Sequence, residues 1–267
     1  MTNDVAAWWS GAPNDGFVIK GSALNCQDAA FSPSNSRLVV NYTPPPPPAP
    51  RVIAVRVQNG GVHANYSVPS GSGDQLWTVP VGRVSQIAVV FDRDVSGANL
   101  AASWRLSNVI TGSAVAVPFT VTYNSGNFTA LLTVTTPNDS PAKLLLTGIS
   151  GASAIRNTGG VALDGEWVNP SSISQGSSGV SRFPAAGGVG SGNGNAGGNF
   201  VFRIVVLPGD YNQNNWTDGS DFLIYQQNLS TTSGATFIQG DANGDGAVNS
   251  ADNTIWSNNY GQDLTTW

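Results

Sequence analysis

Two stretches near the C-terminus carry oxygen-bearing side chains at the same intervals. The first is Asp210-Tyr211-Asn212-Gln213-Asn214-Asn215-Trp216-Thr217-Asp218-Gly219-Ser220-Asp221. The second is Asp241-Ala242-Asn243-Gly244-Asp245-Gly246-Ala247-Val248-Asn249-Ser250-Ala251-Asp252. Asp or Asn falls at positions 1, 3, 5, 9 and 12 of both: Asp210, Asn212, Asn214, Asp218 and Asp221, then Asp241, Asn243, Asp245, Asn249 and Asp252. A hard cation such as calcium takes roughly six to eight oxygens, and a twelve-residue loop delivers them at those alternating positions. Position 7 would contribute a backbone carbonyl, from Trp216 and Ala247, so its side chain is free to vary. Position 6 must turn sharply. Gly246 suits that, and Asn215 is the next most tolerant type for a positive φ.

Asp, Asn and Gly also cluster in ordinary turns, so one copy alone would not single out a metal. The duplication does, together with the charge around it. After Arg203 there is no Lys, Arg or His, while seven Asp occur: 210, 218, 221, 241, 245, 252 and 263. Seven like charges without a counter-charge repel one another in a compact fold unless something cationic is bound. Two calcium ions are therefore expected.

Catalytic constellations are not found. His63 is the single imidazole and sits in a Gly-rich stretch without a neighbouring acid. Cys26 is the single thiol, which excludes an internal disulfide and a zinc or redox motif. Asp92 with Asp94, and Asp164 with Glu166, are acid pairs of the kind glycoside hydrolases need. Each pair falls at a strand end, where acids are routine, and an extra structural calcium at Asp164 or Glu166 is more plausible than catalysis there without being the leading expectation. No Gly-x-Ser-x-Gly, His-Glu-x-x-His or phosphate loop occurs. The net charge of -5 gives no basic patch for nucleic acid. No run approaches the roughly 20 apolar residues of a membrane helix. The opening residues lack the basic head and apolar run of a signal peptide, so a removed leader or a longer parent chain is expected.

The elements that must carry these loops are mostly strands. Charged residues make up only 10%, Gly numbers 32, and Ser, Thr and Asn are frequent, a mixture that favours short strands and turns. A Pro run at 44–50 reads as a stiff linker. Beyond it, apolar or alternating runs recur at Val52 to Val57, Val84 to Phe91, Ala101 to Leu106, Val115 to Tyr123, Phe128 to Val134, Lys143 to Ile149 and Phe200 to Val206. Their spacing predicts an antiparallel β-sandwich over 51–207. Residues 171–199 form a Gly/Ser/Asn-rich insert, expected to be a mobile loop, with an interaction loop held in place as the alternative. Residues 1–43 read as the last strands of a second, incomplete sandwich. Left alone these would keep open edges, so completion by a neighbouring molecule, giving a head-to-tail polymer, is one expectation and a truncated or cleaved chain the other. Eight Trp leave room for a polysaccharide-stacking platform, although most lie on apolar runs and should be core.

Gly-Asp-Tyr-Asn-Gln-Asn and Gly-Asp-Ala-Asn-Gly-Asp-Gly, each followed by an apolar-aromatic stretch (Ile224-Tyr225, Ile255-Trp256), resemble the two halves of a type I dockerin, particularly the planctomycete variant. That resemblance over 208–267 implies EF-hand-like loops, two calcium ions, a small helical pair and docking to a cohesin-like partner. It also implies partner-reading positions at Gly219, Ser220, Ser250 and Ala251. Asn214 and Asn215 depart from the usual Asp and Gly, so the first site is expected to be the weaker. The runs around Ile87, Ser103, Leu144 and Val161 resemble bacterial Ig-like domains of surface-layer proteins. Trp8-Trp9 through Lys20, with Ser36 through Tyr42, look like the end of a DNRLRE-type domain. The expected fold is thus mainly β: an Ig-like antiparallel β-sandwich, a partial N-terminal β-sandwich segment, and a small C-terminal α-helical dockerin-like calcium module. The expected role is a non-catalytic structural or anchoring protein, secreted or at the cell surface, assembled through a cohesin-like domain or neighbouring copies of itself as in a filament. The competing expectation is a carbohydrate-binding accessory region of a polysaccharide-degrading enzyme.

Overall fold

Period-two alternation sets the strands of the computed structural model, which describes residues 47–58, 66–67, 73–79, 83–110, 112–137, 140–149, 155–167, 169 and 190–265. Along Thr129–Val134, Ala130, Leu132 and Val134 turn inward; along Ala142–Gly148, Ala142, Leu144 and Leu146 do. Successive side chains of a strand point to opposite faces, so this spacing buries one face alone. Eleven strands occur among the described residues: β1 Val52–Gln58, β2 Tyr66–Ser67, β3 Gln86–Phe91, β4 Val95–Ser96, β5 Trp104–Asn108, β6 Val115–Ala116, β7 Phe119–Asn124, β8 Thr129–Val134, β9 Ala142–Gly148, β10 Arg156–Asn157 and β11 Phe200–Val206.

They assemble into a five-stranded antiparallel sheet, β2-β1-β3-β8-β7, a four-stranded antiparallel sheet, β11-β9-β5-β6, and a small β10-β4 pair. The inward residues of both large sheets share one core. Val55, Val57, Ile87, Val89 and Leu132 come from the first sheet, and Leu106, Leu144, Leu146, Phe202 and Ile204 from the second. Each such side chain contributes about 1.5–3 kcal/mol on full burial.

Several expected strands shift. Ala101–Ser103 is a 3-10 turn and the strand begins at Trp104, whose indole Nε1 donates to Ala98 O at 2.8 Å. Val115 to Tyr123 is two strands, because β6 pairs with β5 while β7 pairs with β8 in the other sheet. The chain changes layer at Val117-Pro118, where Pro lacks an N–H for a ladder. The two-residue strands β2, β4 and β10 are too short to show a period.

The expected N-terminal sandwich segment at 1–43 lies outside the described residues, as do 171–189 of the Gly-rich insert. The rest of that insert, 190–199, is not loose. Ser191 is fully buried; its N–H donates to Val52 O at 2.7 Å and its Oγ to Asp164 O at 2.8 Å. The Asp164 carboxylate accepts the N–H groups of Asn193 and Gly194 at 2.8 and 3.0 Å. Asp164 thus fastens a Gly-rich backbone that has few side chains to pack. Asp92 and Asp94 also hold structure: Asp92 accepts from Arg51 N and from Arg93, and Asp94 accepts the Tyr123 hydroxyl at 2.8 Å.

Two ten-residue helices follow β11: α1 Gly219–Asn228 and α2 Ser250–Asn259. Among the described residues no helix is long and apolar enough to cross a membrane.

Candidate metal centre

Both twelve-residue stretches fold into loops that share a hydrogen-bond frame. At position 1, Asp210 accepts the N–H groups of Asn214 (Oδ1, 3.0 Å) and Asn215 (Oδ2, 2.8 Å). Asp241 accepts those of Gly244 and Asp245 on Oδ1, and of Gly246 on Oδ2 at 2.8 Å. At position 12, Asp221 accepts Asn212 N at 3.1 Å and Asp218 N at 2.9 Å. Asp252 accepts Asn243 N and Asn249 N at the same two distances. Position 3 accepts the amide of position 5, and position 5 that of position 7, in both copies. The chain therefore wraps each loop around its own carboxylates twice over.

Positions 9 and 12 also start the helices. Asp218 and Asn249 are the N-caps, and Asp221 and Asp252 close the reciprocal capping boxes. A side-chain oxygen at the cap and an acid three residues later satisfy amides that have no partner within the helix. One pair of residues thus both ends the loop and begins the helix.

The two copies then clasp each other. Gly209 (φ +88°) and Gly240 (φ +104°) precede the loops. A Cβ on Gly209 would sit 2.9 Å from Trp256 Cα, and one on Gly240 would sit 3.1 Å from Tyr225 Cα. Each loop therefore begins where its backbone passes against the helix of the other copy, a place only glycine fits. Position 8 continues the exchange. Val248 N donates to Thr231 O at 2.8 Å, while Thr217 N donates to Gln262 O at 3.0 Å and Thr217 O accepts from Gly261 N at 2.8 Å. Trp256 Nε1 donates to Asp218 O at 3.0 Å, and its ring lies 4.7 Å from that of Phe222. Tyr211, Tyr225, Ala235, Ala242, Val248 and Ile255 fill the small core.

Asp210, Asp221, Asp241 and Asp252 are all fully buried. Burial pushes the Asp210 carboxyl up to about 7, against hydrogen bonds from Thr78 and the loop amides that favour its charged form. Burial also lifts Asp221 to about 6 and raises Asp252. Carboxylates drawn together out of water suit a bound cation, which takes the place of the proton. Among the described residues no group of three or more His, Cys, Asp or Glu could hold a metal alone. Each loop would depend on Asn oxygens and a position 7 carbonyl as well, a mixed oxygen set that suits calcium over zinc. The donor chemistry fits the ion. Gly219, Ser220, Ser250 and Ala251 are exposed at the two helix starts.

Residues 208–259 match the family model of the dockerin type I domain. No curated protein and no solved structure matches the chain. Type I dockerins bind calcium, and a dockerin suggests docking to a cohesin-bearing partner. Such domains occur in extracellular or cell-surface proteins.

The oxygen-bearing loop positions are readable from spacing, but three residues that brace the first loop are not: Thr78, Gln213 and Leu76. Thr78 Oγ1 donates to Asp210 Oδ2 at 2.5 Å from 132 positions earlier in the chain. The one local signal is Gln213 and Asn215 standing where the second copy has Gly244 and Gly246.

Proposed function

We propose that this chain is a non-catalytic anchoring protein of the cell surface or extracellular space, whose tail binds two calcium ions and docks onto a cohesin-like partner. The observation that carries this reading is the duplicated frame of buried carboxylates in the segment that matches the dockerin model. Asp210, Asn212, Asn214, Asp218 and Asp221, with the Trp216 carbonyl, hold one ion. Asp241, Asn243, Asp245, Asn249 and Asp252, with the Ala247 carbonyl, hold the other. Calcium offsets the acidic tail, orders both helices, and leaves Gly219, Ser220, Ser250 and Ala251 facing the partner.

An Ig-like spacer before the tail is supported by strand order. The strand order is β2-β1-β3-β8-β7 in one sheet and β11-β9-β5-β6 in the other, which parallels the A-B-E-D and G-F-C arrangement of such domains with an added edge strand on each sheet, β2 and β6. The non-catalytic reading is supported by the acids outside the tail. Asp92, Asp94 and Asp164 each accept hydrogen bonds that hold the fold. Among the described Trp, Trp77 and Trp104 are buried and Trp216 alone is largely exposed, which disfavours a stacking platform for polysaccharide. The planctomycete character of the tail, the DNRLRE-type start at 1–43 and head-to-tail assembly belong to the same reading.

The test is capture of the full chain on a panel of immobilised cohesin domains, with light scattering of the free chain alongside. Calcium-dependent retention, or calcium-dependent growth in mass, is expected. Identical monodisperse behaviour in calcium and in chelator, with no retention, contradicts it.

A further inference from the structure

The segment 73–79 leads from a 3-10 turn at Gly73–Leu76 to Val79, which bridges Val206 at the end of β11. Thr78 in this segment is fully buried. Its hydroxyl donates to Asp210 Oδ2 at 2.5 Å, and its carbonyl accepts Gln213 Nε2 at 2.8 Å. Leu76 O accepts Asn215 Nδ2 at 2.9 Å, and Leu264 N donates to Asn215 O at 2.9 Å. Leu264 then packs in one buried cluster with Leu76, Val205 and Leu207. Positions 1, 4 and 6 of the first loop all grip the body that holds β1 to β11 and the 73–79 segment, the β-domain.

Positions 4 and 6 adopt left-handed backbone in both loops: Gln213 φ +58° and Asn215 φ +71°, Gly244 φ +75° and Gly246 φ +87°. Glycine is the unstrained choice there. The first loop instead carries two amide side chains, and both reach the β-domain.

We propose that the first loop and the β-domain form one calcium-binding unit, with Thr78 a positioning residue for Asp210 and with Gln213 and Asn215 as its clamps. Calcium in that loop stabilises the β-domain, and the β-domain raises that loop's affinity by the same factor, as linkage requires. The inference rests on the calcium reading of 208–259. It also gives the Asn215 departure a purpose: the side chain that strains the loop braces it.

Terbium reads the first loop selectively in the full chain, because position 7 is Trp216 there and Ala247 in the second loop. A hydrogen bond to a charged group is lost in Thr78→Val, so indole-sensitised terbium affinity should fall on the order of tenfold. Calorimetric calcium binding at the second loop should stay unchanged, and Thr78→Ser should restore the first. The paired variant Gln213→Gly with Asn215→Gly relieves left-handed strain yet should also weaken the first loop. The calcium-induced rise in the β-domain's melting temperature should shrink in both weakened variants. Wild-type affinity in Thr78→Val, or tighter binding in the paired glycine variant, overturns the proposal while leaving the calcium reading intact. Absence of terbium emission and of calcium heat in the wild type removes the calcium reading, and this proposal with it.

Discussion

At the residue scale the two loops are nearly superposable in chemistry yet differ in what surrounds their first carboxylate. Asp241 is wrapped by three amides of its own loop, whereas Asp210 shares its oxygens between two loop amides and the Thr78 hydroxyl. Removing one ligand should therefore have a local result. Asp241→Ala should lower the calcium count by one per chain in calorimetry and leave terbium emission from the first loop. A variant that still binds the full complement would refute the ligand assignment. Spacing made these carboxylates legible because the hydrogen-bond frame that they hold repeats at set intervals along one short loop. Thr78 was illegible for the converse reason: its partner lies across the fold, and no local pattern marks a threonine that will meet an aspartate 132 residues on.

The elements show the same division. Strands with clear alternation, such as β8 and β9, could be read to within a residue or so. The two-residue strands and the 3-10 turn before Trp104 could not, since their positions are set by what they pair with. In the tail, the helices are short and capped by loop residues, so their packing rests on few side chains. Trp256 carries much of it, its ring tilted against Phe222 and edge-on to Tyr260 and its Nε1 donating to Asp218 O. Trp256→Ala should destabilise the helical pair by about 3–5 kcal/mol. Chemical denaturation followed by far-ultraviolet circular dichroism measures this. A loss under about 1 kcal/mol would mean that the two copies do not depend on their shared interface.

For the molecule as a whole, the tail is continuous with the β-domain. Phe237, between the helices, is buried in the same cluster as the strands, and Leu264 closes over Leu76 and Leu207. The described residues from 47 onward accordingly form one compact unit. Composition could not foretell that union, because the contacts that make it are single residues scattered along the chain. A docked partner would then be held by a body fixed to the β-domain. All of this requires that the acidic loops bind calcium. The decisive measurement is isothermal titration calorimetry of the chelator-treated chain with calcium. It should show saturable heat at two ions per chain; a flat titration would contradict the account at its root.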